Sequence, residues 1–325
     1  MLRRSKQSLV SVTLIAALAG VLVAGCGSSP SPAASAKKTI TKVSLATLPV
    51  ADTAVAVIAQ KEGYFKQNGL DVTLSVMQLG PATTQAVLTG AAQFSQSNYA
   101  TLFTARSKGV PIEIVCEATR ALPAFSTVAV LPNSPITSPQ DLAGKRIATS
   151  VIGGIGPLAI EAYLKSLGVD YQSIKWVQMP FPSMGAALQE HQVDAAWLVE
   201  PFVSILGSSL HTRTVFPVFS GPTAGLPVAA FATSVSYAKA HPQVVADFRN
   251  AIQEAARKIA QDPSLVRQVL PTYTAIKAPL AQTIGLESYP TSTSLSQIER
   301  VATMMRSVGL LTGKLNVPSM VFSQK

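Results

Sequence analysis

Cysteine, histidine and charged residues are all scarce in this chain of 325 residues. It has two cysteines and three histidines, and Asp, Glu, Lys and Arg together make up only 13% of it. His191, His211 and His241 stand far apart, and neither an HExxH nor a GxSxG motif is present. These absences disfavour a zinc or serine hydrolase. We therefore expect no catalytic residue, no metal site and no cofactor.

The N-terminus has the three parts of an export signal. Arg3, Arg4 and Lys6 form a basic start, residues 9–23 are almost uninterruptedly apolar, and the sequence VAGC ending at Cys26 resembles a bacterial lipobox. We expect residues 1–26 to be a lipoprotein signal peptide that is cleaved before Cys26, whose thiol then carries lipid. An ordinary signal peptide cut nearby is the alternative. A transmembrane helix is disfavoured because the run falls short of the roughly 20 apolar residues that a span needs.

Small and polar residues with two prolines follow, over residues 27–39. Nothing in this stretch can be buried in a core, so the composition predicts a flexible tether. Two acyl chains hold a protein on a membrane where one does not. We therefore expect an exported protein, anchored through its lipid to the outer face of the cell membrane.

Cys116 is the second cysteine, and lipid on Cys26 would leave it without a partner for an intrachain disulfide. It lies in the apolar run IEIVCEA. A cysteine in such a run is expected to be a buried, unreactive thiol.

Basic residues outnumber acidic ones, but their placement does not indicate nucleic-acid binding. The formal net charge of the whole chain is +10, and loss of the signal peptide removes Arg3, Arg4 and Lys6 and no acid, which leaves +7. Lys and Arg form no run longer than two residues, and aromatic residues make up only 6%. We expect no nucleic-acid partner, whereas the positive surplus slightly favours anionic ligands.

The order of apolar patterns predicts an α/β protein of two lobes. From Lys42 onward, short β-branched runs alternate with helical patterns, which is typical of βαβ units, and this series occurs twice. The stretches FSTVAVLP and LPVAAFAT are expected to carry the chain between the lobes as two crossover strands. We assign residues 40–125 and 232–325 to lobe I and residues 126–231 to lobe II. Two independent domains in series are the alternative.

Four motifs also occur in the order and spacing of a known family. They are AQKEGYFKQNGLDVTL (Ala59 to Leu74), SPITSPQDLAGKRIAT (Ser134 to Thr149), VDAAWLVEPF (Val193 to Phe202) and the segment Tyr237 to Pro242. Together they resemble the nitrate, sulfonate and taurine type of solute-binding protein of ABC transporters, which has the periplasmic-binding-protein-like II fold. The family also includes binders of thiamine-pyrimidine precursors.

The resemblance implies a monomeric binding protein without catalysis. It would capture a small anionic solute of the nitrate, alkanesulfonate or taurine class in the cleft between its lobes. It would then deliver the solute to an ABC permease and its ATPase. A pyrimidine binder and an exported enzyme outside transport are the alternatives.

Loops that follow strands supply the candidate ligand contacts, because ligands of such folds bind at the carboxyl ends of the strands. These candidates are Leu48, Pro49, Asp52, Thr53, Gly80, Ser97, Asn98 and Tyr99 in lobe I, and Ile152, Gly153, Gly154, Trp197 and Glu200 in lobe II. Hydroxyl and amide groups can donate hydrogen bonds, and the glycines let backbone N–H groups approach an oxyanion. Helix capping is the alternative role of Asp52, Thr53 and Asn98, and core packing is that of Trp197.

The sequence leaves the charge of the ligand open. The basic surplus and the glycine loop SVIGGIGP (Ser150 to Pro157) favour an oxyanion such as nitrate or an alkanesulfonate. Asp52 and Glu200, if they face the cleft, suit the amine of taurine or of an aminopyrimidine instead. The other interpretation of Glu200 is that it begins a helix beside Pro201.

Overall fold

The computed structural model of the protein describes residues 40–323. The expected signal peptide (residues 1–26), its lipid site at Cys26 and the tether (residues 27–39) therefore lie outside the described residues. Within the described range, no helix is both long enough and apolar enough to cross a membrane.

Strands and helices alternate through most of residues 40–323. The strands are β1 (Thr41–Thr47), β2 (Leu70–Val76), β3 (Phe94–Asn98), β4 (Ile112–Arg120), β5 (Ser126–Val130), β6 (Arg146–Thr149), β7 (Lys175–Gln178), β8 (Ala195–Val199), β9 (Arg213–Pro217) and β10 (Pro227–Ser234). The α-helices are α1 (Ala54–Lys61), α2 (Tyr64–Gln67), α3 (Gly80–Leu88), α4 (Tyr99–Ser107), α5 (Ile155–Ser166), α6 (Met184–Gln189), α7 (Phe202–Leu210), α8 (Val235–Ala240), α9 (Pro242–Gln261), α10 (Ser264–Val269), α11 (Ala278–Ala281) and α12 (Leu295–Ser307).

Two five-stranded sheets confirm the expected two-lobed α/β fold. The first sheet has the order β2-β1-β3-β10-β4 and the second the order β7-β6-β8-β5-β9. In each sheet four strands run in the same direction, and one strand from the other side of a crossover is inserted antiparallel to them. The inserted strands are β10 in lobe I and β5 in lobe II. Every residue of β5 and of β8 is buried, as expected for central strands covered on both faces.

The two crossovers lie side by side. Phe125, just before β5, stacks on Phe219, just after β9, with ring centroids 5.4 Å apart. Backbone hydrogen bonds from Val218 to Ser126 and from Ala121 to Leu226 also join them. Because β10 already belongs to the first sheet, the chain returns to lobe I at residue 227, ahead of the expected residue 232.

Helix α9 covers the sheet of lobe I, as its apolar periodicity predicts. Phe248 is buried and stacks on Phe94 of β3 at a centroid distance of 3.9 Å. Ile252 and Ile259 are buried on the same face, and Pro242 occupies the first turn, where a proline costs no hydrogen bond.

Several individual residues also suit their local environment, and the prediction that Cys116 is buried is confirmed. Gly63 and Gly69 have φ angles of +77° and +78°, a conformation that favours glycine. Cys116 is a buried free thiol, and burial raises its pKa to about 12.

A buried carboxyl joins helix α5 to the edge of the second sheet. One carboxyl oxygen of Glu161 accepts a hydrogen bond from Nε1 of Trp176 in β7 at 2.9 Å. Burial raises the pKa of Glu161 to about 7, although the Trp176 hydrogen bond opposes the shift. The folded state therefore binds this proton more tightly than the unfolded state. Its contribution to stability is complete below the ordinary pKa of 4.5 and is lost as pH rises towards 7.

We expect Glu161→Gln to gain stability relative to the wild-type protein as pH rises from about 5 to about 7, because Gln stays neutral while Glu161 ionises. Thermal unfolding of both proteins across this range gives the difference in Tm, which should then level off towards pH 8. Glu190→Gln, an exposed change in the same lobe, should show no such trend. A pH-independent difference for Glu161→Gln would contradict the assignment.

Candidate functional site

A cavity of about 50 Å³ lies where the strand ends of the two sheets meet. Its lining comes from both lobes: Leu48, Val50, Asp52, Gly80, Gln96, Ser97, Asn98, Val228 and Ala229 from lobe I, and Ser150, Val151, Ile155, Phe181, Trp197 and Val199 from lobe II. Most of these residues lie at or just beyond the carboxyl ends of strands, as the general rule for such folds predicts. A water molecule occupies about 10–15 Å³ by the same measure, so only a small solute fits.

A second hollow, of about 180 Å³, lies at the opposite edge of lobe II. Lys145, His191 and Asp194 line it at the amino ends of β6 and β8. Asp194 forms an ion pair with Arg146 at 2.8 Å. Because this hollow is confined to one lobe and lies away from the carboxyl ends of the strands, we place the functional site in the cavity between the lobes.

The loop after β1 is held in shape by its own polar groups. Thr53 is buried, and its hydroxyl lies 2.7 Å from the carbonyl oxygen of Leu48 and 2.6 Å from Oε1 of Gln96. Leu48 and Gln96 line the cavity, whereas Pro49 and Thr53 lie outside its lining. Thr53 thus supports the loop from behind, which corrects the expectation that it faces the ligand.

Asp52 lines the cavity and does not cap the helix that follows. Its Oδ1 accepts a hydrogen bond from the hydroxyl of Thr119 in β4 at 2.9 Å, and the turn at Ala51–Thr53 has no side-chain cap. Burial raises the pKa of Asp52, and the Thr119 hydrogen bond opposes the shift. The structure therefore places a buried acidic group on the cavity wall.

The loop after β3 carries three candidate residues, and the structure places two of them on the cavity wall. Ser97 and Asn98 line the cavity, and Asn98 also caps α4 by accepting a hydrogen bond from the backbone N–H of Thr101 at 2.9 Å. Tyr99 is fully buried against Phe103, at a ring distance of 5.9 Å, and lies outside the lining. The expected aromatic wall at Tyr99 is therefore a core contact.

The glycine loop of lobe II reaches the cavity through its first residues. Ser150 and Val151 line the cavity, whereas Ile152, Gly153 and Gly154 do not. Ile152 is 55% exposed, and Gly153 has a φ of +70°. A Cβ on Gly154 would lie 3.0 Å from the carbonyl oxygen of Val151. The two glycines therefore shape the turn that leads into α5.

Trp197 forms the aromatic wall of the cavity. Its Nε1 donates a hydrogen bond to the hydroxyl of Ser126 at 2.9 Å, and its ring contacts Phe181 at 5.5 Å. A Cβ on Gly156 would lie only 2.2 Å from this ring, so the glycine makes room for it. Sequence reasoning missed Phe181 and Gly156, although Phe181 follows β7 as the other contacts follow their strands.

Glu200 connects the lobes and lies outside the cavity lining. Its buried carboxylate accepts hydrogen bonds from the hydroxyl and N–H of Ser204 and from the N–H of Gly285. Its carbonyl oxygen accepts a hydrogen bond from the N–H of Ala51 at 3.0 Å. Burial raises its pKa against these hydrogen bonds. This placement corrects the expectation that Glu200 pairs with a ligand amine and favours its alternative role at the start of α7.

Comparison with known proteins identifies the family. Residues 51–265 match the family model described as NMT1/THI5 like. The chain belongs to the NMT1/THI5-like family. Over 214 residues, 65% of the chain, it is 26% identical to the taurine-binding periplasmic protein of Escherichia coli (strain K12). The match spans 64% of the length of that relative.

Solved structures share the fold of this NMT1/THI5-like chain. The alkanesulfonate-binding protein SsuA from Xanthomonas axonopodis pv. citri bound to MOPS has a TM-score of 0.73 at 18% identity, covering 87% of this chain and 99% of that one. The periplasmic nitrate-binding protein NrtA from Synechocystis PCC 6803 has a TM-score of 0.71 at 14% identity, covering 87% and 86%. These matches confirm the periplasmic-binding-protein fold. Together with the family model and the E. coli relative, they confirm the resemblance recognised in the motifs.

In this NMT1/THI5-like structure the lobes meet directly across the cavity at Gly80. A Cβ added to Gly80, at the start of α3 in lobe I, would lie 2.9 Å from Cγ2 of Val151 in lobe II. Gly80 does not have a positive φ, so its backbone conformation does not require glycine. The close approach of the two lobes is what requires it.

We expect Gly80→Ala to weaken binding of a solute that occupies the wild-type cavity by about tenfold or more. Overpacking a close contact costs about 1–3 kcal/mol, and here that cost falls on the closed form. Isothermal titration calorimetry gives the two dissociation constants. Gly207→Ala in α7, where a Cβ meets nothing within 4 Å, should bind like the wild type. Unchanged affinity in Gly80→Ala would show that the lobes do not need this contact.

Proposed function

We propose that the chain is the extracytoplasmic solute-binding component of an ABC importer. It captures a small anionic solute of the nitrate, alkanesulfonate or taurine class and delivers it to a permease, without chemical change. In this proposal it acts as a monomer held on the membrane by lipid on Cys26. The observation that carries the proposal is a small cavity whose lining is divided between two lobes joined by adjacent crossovers.

The relatives support the solute class. The E. coli relative is a taurine-binding protein, and the two structural matches are binders of alkanesulfonate and nitrate. These names support a binding protein over an exported enzyme.

The cavity offers groups suited to an anionic end. Ser97 and Ser150 line the cavity from opposite lobes and carry hydroxyls, and Asn98 adds a polar side chain. The hydroxyl of Ser97 also lies 3.2 Å from that of Thr84. Ile155, at the start of the 12-residue helix α5, also lines the cavity. The positive potential of a helix N-terminus favours anions there.

The crossovers support a closing motion. The few residues linking β4 to β5 and β9 to β10 stack on each other, whereas each sheet keeps its own hydrogen bonds. Rotation at the crossovers would leave both sheets intact, as in the hinge closure of two-domain binding proteins. A solute that contacts both lobes stabilises the closed form.

The proposed function predicts selective stabilisation by one solute class. We expect nitrate, ethanesulfonate or taurine to raise Tm by about 5 °C at a concentration about 100-fold above Kd, since ligand binding then adds about 2.7 kcal/mol. Differential scanning fluorimetry with these probes and an aminopyrimidine measures the shifts. Mass spectrometry should recover the bound solute unaltered.

Stabilisation by the aminopyrimidine alone would replace the anion class with the pyrimidine alternative. Chemical conversion of a bound solute would contradict the role as a binding protein. Stabilisation by none of the probes would contradict the proposed solute class.

A further inference from the structure

We propose that the solute carries a protonated amine that pairs with Asp52, so that an amine-bearing sulfonate is preferred over nitrate and over amine-free sulfonates. This inference rests on the proposed function and narrows its solute class. Among the described residues that line the cavity, Asp52 is the only Asp, Glu, Lys, Arg or His. A purely anionic solute would meet one acidic group there and no basic side chain.

A second carboxyl group lies beside Asp52, and it affects which of the two carboxyl groups carries a negative charge. Glu287 is only 4% exposed. Its carboxyl group lies beside Asp52 and the Thr119 hydroxyl, although neither of its oxygens meets normal hydrogen-bond geometry. Burial raises the pKa of Glu287 well above its ordinary value, and the charge of Asp52 raises it further. Asp52 has the Thr119 hydroxyl as a donor and faces the cavity. The raised pKa of Glu287 favours its protonated form, and the Thr119 donor together with the cavity contact favours placing the negative charge of the pair on Asp52.

The neighbouring tyrosines do not neutralise this charge. The hydroxyl of Tyr273 donates to the carbonyl oxygen of Val50 at 3.0 Å, and that of Tyr289 donates to the carbonyl oxygen of Ala51 at 3.0 Å. Both hydroxyl protons are thus used by the backbone of the loop that carries Asp52. Hydrogen bonds from Thr119, from its own backbone and from Glu287 reach the Asp52 carboxylate, but none of them brings a positive charge. A carboxylate that is 5% exposed is costly to bury without a cation.

A zwitterionic solute has one charged group for each lobe that lines the cavity. Its ammonium group pairs with Asp52 in lobe I, and its acidic group lies towards Ser150 and the N-terminus of α5 in lobe II. The two ends then hold opposite lobes together, which couples recognition of the amine to closure.

A pair of solutes that differ in one group tests the inference on the wild-type protein. Taurine and ethanesulfonate share the sulfonate and differ by the amine, and nitrate is a third probe. By isothermal titration calorimetry we expect taurine to bind at least 100-fold more tightly than ethanesulfonate or nitrate. If either amine-free anion binds as tightly as taurine, the inference is wrong and the proposed function stands. If none of the three binds, the proposed solute class fails as well.

Substitution of Asp52 tests whether this residue causes the preference for taurine over ethanesulfonate. Asp52→Asn should reduce the preference for taurine over ethanesulfonate to less than tenfold, because the neutral amide no longer pairs with an ammonium group. Asp71→Asn, the same change at an exposed position of lobe I, should keep the full preference. Circular dichroism establishes that both variants are folded. A full preference in folded Asp52→Asn would contradict the role of Asp52, and if that variant does not fold, the wild-type series alone decides.

Discussion

After each crossover, the chain inserts one strand into the middle of a sheet. The rest of the structure depends on this constraint. β5 pairs with β8 and β9, and β10 pairs with β3 and β4, in each case antiparallel. Each crossover strand is therefore fixed on both sides as soon as it enters its sheet. This fixes the two sheets so that their strand ends meet at one cavity, and it confines flexibility to the short links near Phe125 and Phe219.

Glycine then determines how closely the facing surfaces approach. Gly80 lets α3 meet Val151, and Gly156 lets α5 lie against the ring of Trp197. Neither position has a positive φ, so both glycines serve close packing and not turn geometry. The small size of the cavity follows from these two contacts, because a side chain at either position would push a wall outwards.

The sequence predicts the fold well because its signals are local. The 3.6-residue pattern of α9 specifies which face is buried, and Gly63 and Gly69 mark turns through their own backbone conformation. The site is predicted less well because strand ends indicate a position along the chain and not the direction of a side chain. Ser97 and Asn98 reach the cavity, whereas the next residue, Tyr99, turns into the core.

Long-range partners account for the remaining errors. Glu200 is held by Gly285, 85 positions later, and Asp52 by Thr119, 67 positions later. No local pattern distinguishes these two acids, yet one lies behind the cavity and the other on its wall. The sequence also does not predict that Glu287 lies beside Asp52, because Glu287 comes more than 200 residues later in the chain.

The acidic group on the cavity wall also affects the free energy of closing the two lobes. If the lobes open as proposed, the cavity side of Asp52 would be solvated and its charge would cost less. Closing around an empty cavity removes that water, so the empty closed form bears the cost of burying a carboxylate. A solute with an ammonium group offsets this cost, whereas a simple anion increases it. On the proposed function, the same carboxylate would select the solute and bias the empty protein towards the open form, and a permease that recognises the closed form would meet mainly loaded protein.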